Sequence, residues 1–274
     1  MPPQIPIATL LIVILTGIVS FLAFNNGALK DRLIFSPQSI LADKEYYRVV
    51  TSAFLHADWQ HLFFNMFSLY LFAENMEPAI GTGCFALIYF ASIIGGSLLS
   101  LYLHRHHEYF SLGASGGVCG IIVSSVFLFP GSRIYFFFVP VGIPGWLYAI
   151  LFLVSEFYGG RAKRTNIGHD AHLGGAVVGL LTTTVLFPEI VRESPRLYAT
   201  VMVLSLGMFV YYWKNPLDLP FTSFSVPESK PKSEPRQPGP TPAEVDAVLD
   251  KVTRTGIQSL TKKERTILEK ASKK

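Results

Sequence analysis

A hydroxyl with glycines on either side is the first feature in this chain suited to chemistry. Ser115 lies in the stretch FSLGASGGVCG, residues 110–120, between a polar, His-rich loop and an apolar run ending near Phe129. Gly113, Gly116, Gly117 and Gly120 strip side chains from around the serine and leave its oxygen approachable. In the first turn of a helix the backbone N–H groups lack intrahelical partners and the dipole is positive, which suits a developing oxyanion. The same glycines form small-xxx-small pairs, the ordinary packing face of a membrane helix, and on this stretch alone packing is the stronger reading. A nucleophile also needs a base.

His172 supplies one. It sits inside an apolar run, where polar side chains are rare and tend to mark function, and Gly175 and Gly179 follow at i+3 and i+7 on its face. A neighbouring helix can therefore come close, and if that neighbour carries Ser115 the two form a Ser–His dyad with His172 as general base. Asp170, two residues away, points to another side. His61 and Asn65 are i, i+4 on a third apolar run, and both donate hydrogen bonds from a neutral side chain, as a tetrahedral oxyanion requires beside the Ser115 N–H. Singly, each reads as an interhelical hydrogen bond. His169 with His172, and the loop residues His104, His106 and His107, are the candidates for metal chemistry, but no H-E-x-x-H and no carboxylate-rich helix face accompanies them, so no metal and no cofactor is expected. Cys119 lacks an activating neighbour in sequence and reads as small packing.

These residues are carried by apolar runs. The chain has 274 residues, 50% hydrophobic and only 15% charged, short of the roughly 25% typical of soluble domains. Runs near the 17–25 residues needed to cross a bilayer recur, which makes the fold class an all-α polytopic membrane protein. The expected spans are Ile5 to Phe24, Gln60 to Met76, Cys84 to Leu103, Ala114 to Phe129, Ile143 to Tyr158, Asp170 to Phe187 and a seventh, Leu197 to Trp213. The first has no basic flank or small-residue cleavage site and reads as a retained span. Between it and the second, residues 25–58 mix charges with Leu, Ile, Phe and Tyr, as an interfacial segment does. The net charge of +4 is scattered over loops and tail without a basic stripe, so lipid headgroups and no nucleic acid are expected.

The expected organisation is a transmembrane core over 1–190, an additional span over 191–214, a Pro-rich linker over 215–240 and a small helical hairpin over 241–274. Thr241-Pro-Ala-Glu244 and Thr261-Lys-Lys-Glu264 each have the form of a capping box. So small a hairpin makes little core alone, which suits docking to a protein partner or the membrane face.

Between Tyr47 and Gly179 the chain resembles the rhomboid family of intramembrane serine proteases. Tyr47-Arg48 is similar to its Trp-Arg pair; His56, His61 and Asn65 match its H-x4-H-x3-N pattern; Glu77 and Gly81 match E-x3-G; Gly113, Ser115 and Gly116 match G-x-S-G; and Ala171, His172, Gly175 and Gly179 match A-H-x2-G-x3-G. The resemblance implies a six-helix core with a water-accessible cavity, here with the seventh span added. It implies Ser115 as nucleophile, His172 as base and then acid, His61 and Asn65 with the Ser115 N–H as oxyanion hole, and Arg48 as a structural residue of the first loop. The substrates it implies are transmembrane proteins in a lipid bilayer, and the expected compartment is a bacterial inner membrane. Cys119 departs from the aromatic residue the family often has four after the serine, which leaves the support of the His172 ring open.

The family's orientation opens the site to the non-cytoplasmic side, placing Lys30, Arg32, Lys44, Arg48, Arg105, Arg161, Lys163 and Arg164 there and only Arg133, Arg192 and Arg196 in inner loops. The positive-inside rule favours the reverse. A catalytically inactive relative that binds membrane proteins is the alternative function; a transporter using His61, His172 and Asn65 as an ion path is a third.

Overall fold

The computed structural model describes residues 6–106, 108–135, 141–161, 168–215 and 241–272. His107, Pro140, Lys163, Arg164 and all of the Pro-rich linker but Asn215 lie outside the described residues. The helices are α1 Ile7–Phe24, α2 Gly27–Leu33, α3 Pro37–Ala42, α4 Arg48–Thr51, α5 Trp59–Ile80, α6 Thr82–His104, α7 Ser115–Leu128, α8 Gly145–Arg161, α9 His169–Leu186, α10 Glu189–Glu193, α11 Pro195–Lys214, α12 Pro242–Thr255 and α13 Lys262–Ser272. Two residue pairs, β1 Arg133–Ile134 and β2 Ile143–Pro144, form a small antiparallel ladder ahead of α8.

The protein is an all-α, multi-pass membrane protein. By length and composition α1, α6 and α11 are each sufficient to cross a bilayer, and α7 and α8 are shorter apolar helices. Leu10, Leu11, Ile14, Leu15, Ile18, Phe21 and Leu22 of α1 are exposed, an outward apolar surface that water would penalise and acyl chains would not.

The centre of the fold is α7, which is buried continuously from Gly116 to Phe127. At 14 residues it is about 21 Å long at 1.5 Å per residue. The hydrocarbon core is about 30 Å thick, so a helix this short does not by itself span it. Against it lie α6 and α9, and the three approach closely because glycines face each other. A Cβ on Gly175 would strike the Gly116 carbonyl, and one on Gly179 would lie 2.6 Å from Gly120 Cα. A Cβ on Gly174 would sit 2.9 Å from the Gly95 carbonyl oxygen. These are backbone atoms, which cannot swing aside.

The Asn25 to Asp58 segment folds into α2, α3, α4 and a 3₁₀ turn at Ser52–Phe54. Arg48 is only 7% exposed and organises it. Its Nε donates to Glu45 Oε2 (2.6 Å), and its NH1 donates to the carbonyls of Asp31 (2.6 Å) and Ile34 (2.8 Å). The Arg48 hydrogen bond holds the Glu45 carboxyl below its ordinary range. A second clamp joins α1 to α5: the Glu77 carboxylate accepts from the amides of Ala8 (2.7 Å) and Thr9 (2.9 Å) and from the hydroxyls of Thr9 and Thr82. It thus caps the start of α1, where orphan N–H groups and the dipole favour an anion.

The chain divides into two compact units, Met1–Pro227 and Glu228–Lys274. In the first, α11 shares a buried apolar cluster with α8 and α9 through Val201, Met208, Tyr212, Leu153, Leu173 and Leu180. In the second, α12 and α13 pair across Lys251 Nζ to Glu264 (2.8 Å), with Val248 and Leu260 buried. Both open with Thr–Glu hydrogen bonds, Thr241 with Glu244 and Thr261 with Glu264.

Candidate active site

Ser115 begins α7, and the residue that lets it do so is Gly113. With φ of +128° Gly113 adopts backbone that L side chains rarely take, and a Cβ there would lie 2.9 Å from His61 Cε1. The Gly113 N–H donates to the Ser52 carbonyl (3.0 Å), which ties the turn to the α4 region. The Ala114 N–H donates to His56 Nε2 (3.4 Å). With Nε2 accepting, His56 carries its proton on Nδ1 and donates to Ser20 Oγ (3.0 Å), which in turn donates to the Phe54 carbonyl (2.9 Å). His56 therefore binds the serine turn to α1.

On α9, the first turn faces the first turn of α7. A Cβ on Gly116 would be 3.3 Å from the Ala171 carbonyl oxygen, the residue before His172. His61, on α5, lies within electrostatic reach of His172, so three helices bring Ser115, His61 and His172 into one region. Ser115 Oγ makes no hydrogen bond to the His172 ring in this state. Ser115 also lines a cavity of about 40 Å³ together with Ser52, Ser97, Ser100 and Ser111. A cavity needs roughly 10–15 Å³ for a water, so this one is large enough and polar enough to hold water.

His61 accepts at Nδ1 from the Ala57 N–H through a long 3.5 Å contact, which puts the ring proton on Nε2, on the side of Gly113. Asn65 is occupied differently: its Nδ2 donates to the His61 carbonyl one turn back (3.0 Å). Among the described residues Asn65 makes no hydrogen bond to Ser115. Asp170 is engaged elsewhere: its Oδ2 is 3.3 Å from His104 Nε2, its Oδ1 accepts from the Tyr109 hydroxyl (3.4 Å), and the His104 ring stacks on Tyr109 with centroids 3.7 Å apart.

One residue in the region escaped the reading of the sequence. Glu156, the single acidic residue of α8, extends its Oε2 to His172 Nδ1 (2.9 Å) and to His169 Nδ1 (2.6 Å). The signal was there to find, since a carboxylate at the centre of a span costs about 2.5–3.5 kcal/mol and is rarely left unpartnered. The three side chains converge within 4.8 Å, as metal ligands can. Tetrahedral zinc with bonds near 2.0–2.1 Å, however, spaces its donors about 3.4 Å apart, and these atoms are hydrogen-bonded at shorter range.

Comparison with known proteins follows the same residues. The family model described as Rhomboid domain matches residues 43–189, and a second, described as a family of unknown function, matches 241–274. The chain is 30% identical over 170 residues to Rhomboid protein 1, mitochondrial, of Saccharomyces cerevisiae, covering 59% of this chain and 49% of that protein. It is 27% identical over 214 residues to Rhomboid protease GluP of Bacillus subtilis, covering 76% and 40%. To Rhomboid-like protein 11, chloroplastic, of Arabidopsis thaliana it is 34% identical over 155 residues, covering 53% and 54%. The chain spans about half the length of these relatives. They come from a bacterium and from two organelles, so the likeness extends beyond the bacterial inner membrane.

Proposed function

We propose, because this chain belongs to the rhomboid family, that it is an intramembrane serine endopeptidase that cleaves transmembrane proteins with Ser115 as nucleophile and His172 as general base. The observation that carries the reading is the interlock of α7 with α9, in which Gly116 rests on the Ala171 carbonyl and Gly175 on Gly116, so that both side chains project from adjoining first turns. No cofactor enters the reaction.

In this reading Ser115 Oγ attacks the carbonyl carbon of the scissile peptide while its proton passes to His172 Nε2. The oxyanion so formed is received by the Ser115 N–H and the Nε2–H of His61, with the second hydrogen of Asn65 Nδ2 as a further donor. Collapse breaks the C–N bond, and His172 returns the proton to the leaving amine. Water from the serine-lined cavity then attacks the acyl ester, again deprotonated by His172, and frees Ser115. Closing the distance between Ser115 Oγ and the ring accompanies substrate binding, as catalytic hydrogen bonds tighten in the reacting complex.

The test is cleavage of a single-span substrate by the full chain in liposomes. The wild type should cut, and Ser115→Ala should leave the substrate intact. Cleavage surviving Ser115→Ala would exclude this nucleophile. An intact substrate, captured equally by wild type and variant, would make the chain a binding relative without peptidase activity.

A further inference from the structure

The reading above asks only for a serine and a histidine, yet α8 delivers a carboxylate to the far side of that histidine. With Glu156 ionised, its carboxylate accepts hydrogen bonds and donates none, so its 2.9 Å contact at Oε2 places a proton on His172 Nδ1. A neutral imidazole has one such proton. Spending it on Glu156 leaves Nε2 bare, which is the tautomer a general base must have. The same oxygen accepts from His169 Nδ1 at 2.6 Å, and the rings of His169 and His172 meet edge to face with centroids 5.9 Å apart. Glu156 is thereby fixed by two bonds from the first turn of α9, and its side chain is 12% exposed.

We infer that Glu156 is the positioning residue of His172, holding its ring in the Nδ1–H tautomer and balancing the imidazolium that forms when Ser115 gives up its proton. The inference deepens the proposed function and rests on it for its catalytic part. No proton reaches Glu156 in the cycle: the Ser115 proton goes to His172 Nε2 and from there to the leaving amine, while Nδ1–H stays with His172 throughout. His169 serves by occupying part of Glu156, so that the carboxylate cannot rotate away. The arrangement also answers the question raised by Cys119, since orientation of the His172 ring comes from the α8 side and needs no aromatic residue on α7.

The experiment compares the full-length wild type with Glu156→Leu, which removes acceptor and charge at similar volume, and with Glu156→Gln, which restores the acceptor alone. Two readouts are taken on folded protein whose melting temperature is checked. The first is steady-state cleavage of the single-span substrate. Glu156→Leu should lower kcat about 100-fold, between the 10–100-fold typical of losing a ligand-orienting partner and the 10⁴-fold of a wrong-tautomer triad. KM should stay within about twofold, and Glu156→Gln should recover part of kcat. The second is the ¹⁵N NMR spectrum of histidine-labelled protein, with His172 assigned by its loss in His172→Gln. It should show Nδ1–H in the wild type and a mixture of tautomers in Glu156→Leu. A wild-type His172 ring protonated on Nε2 overturns the inference, and so does an unchanged kcat in a folded Glu156→Leu. If the wild type fails to cleave but shows Nδ1–H that Glu156→Leu scrambles, the peptidase reading falls while the positioning of His172 by Glu156 stands.

Discussion

Neighbouring side chains of one pattern do different work here. His61 turns its Nε2 toward Gly113, whereas Asn65 spends a donor on the His61 carbonyl. Losing an oxyanion donor costs about 10²–10³ in kcat. His61→Ala should therefore fall in that range, and Asn65→Ala, with one Nδ2 hydrogen already given to the His61 carbonyl, should lose less than tenfold, with the steady-state cleavage rate as the measure; equal losses would make Asn65 as strong an oxyanion donor as His61. Their i, i+4 spacing put them on one face but could not say which backbone group Asn65 would meet. Glu156 was hidden for a related reason. It stands 13 and 16 residues before the histidines it serves, and nothing local pairs them; only the α8–α9 packing does. Asp170, far nearer in sequence, turns to His104 instead.

Helices were the most legible elements. Apolar run lengths placed the third span at Cys84 to Leu103, and α6 runs Thr82–His104. Less could be read in residues 25–58, where α2, α3 and α4 are too short to carry a period and are folded by the Arg48 hydrogen bonds, whose partners include backbone carbonyls that no sequence pattern marks. The glycine seam shows what spacing does convey: Gly175 and Gly179 on one face announced close approach, though not that Gly116 and Gly120 would be their partners. Gly175→Ala should destabilise by about 1–3 kcal/mol, the usual cost of overpacking, because the obstacle is the Gly116 backbone. Gly17→Ala, inside α1 with nothing within 4 Å of its Cβ, should melt at or slightly above the wild type. Melting in detergent decides it, and equal losses would deny the seam its role. In the tail, the Lys251 and Thr261 hydrogen bonds hold the Glu264 carboxyl down to about 2. A carboxyl lowered by folding stabilises the hairpin above its unfolded value of about 4.3, and the contribution fades as pH falls from there through about 2. The Thr261 amide resonance of the intact chain should titrate near the lower value; a midpoint near the unfolded one would mean the Lys251 and Thr261 bonds do not persist.

For the molecule as a whole, the fold class followed from composition, while orientation was contested by its charges. Part of that conflict has a structural cause: Arg48 is buried and hydrogen-bonded through Nε and Nη1, so it obeys packing and not the leaflet charge that the positive-inside rule describes. Five helices of the bundle, α5 to α9, separate Lys44 from Glu189. If each crosses, cysteines placed at those two positions in a Cys84→Ser background should react with an impermeant maleimide from opposite sides of sealed vesicles, the Lys44 position from the non-cytoplasmic side. Labelling from one side would break the count. The proposed reaction depends on a serine made reactive by a histidine from another helix. The most direct measurement is labelling of the folded protein with a fluorophosphonate and mapping of the adduct by mass spectrometry. The predicted result is an adduct on Ser115 in the wild type that disappears in His172→Ala. An unlabelled Ser115, or labelling undiminished without His172, would contradict it.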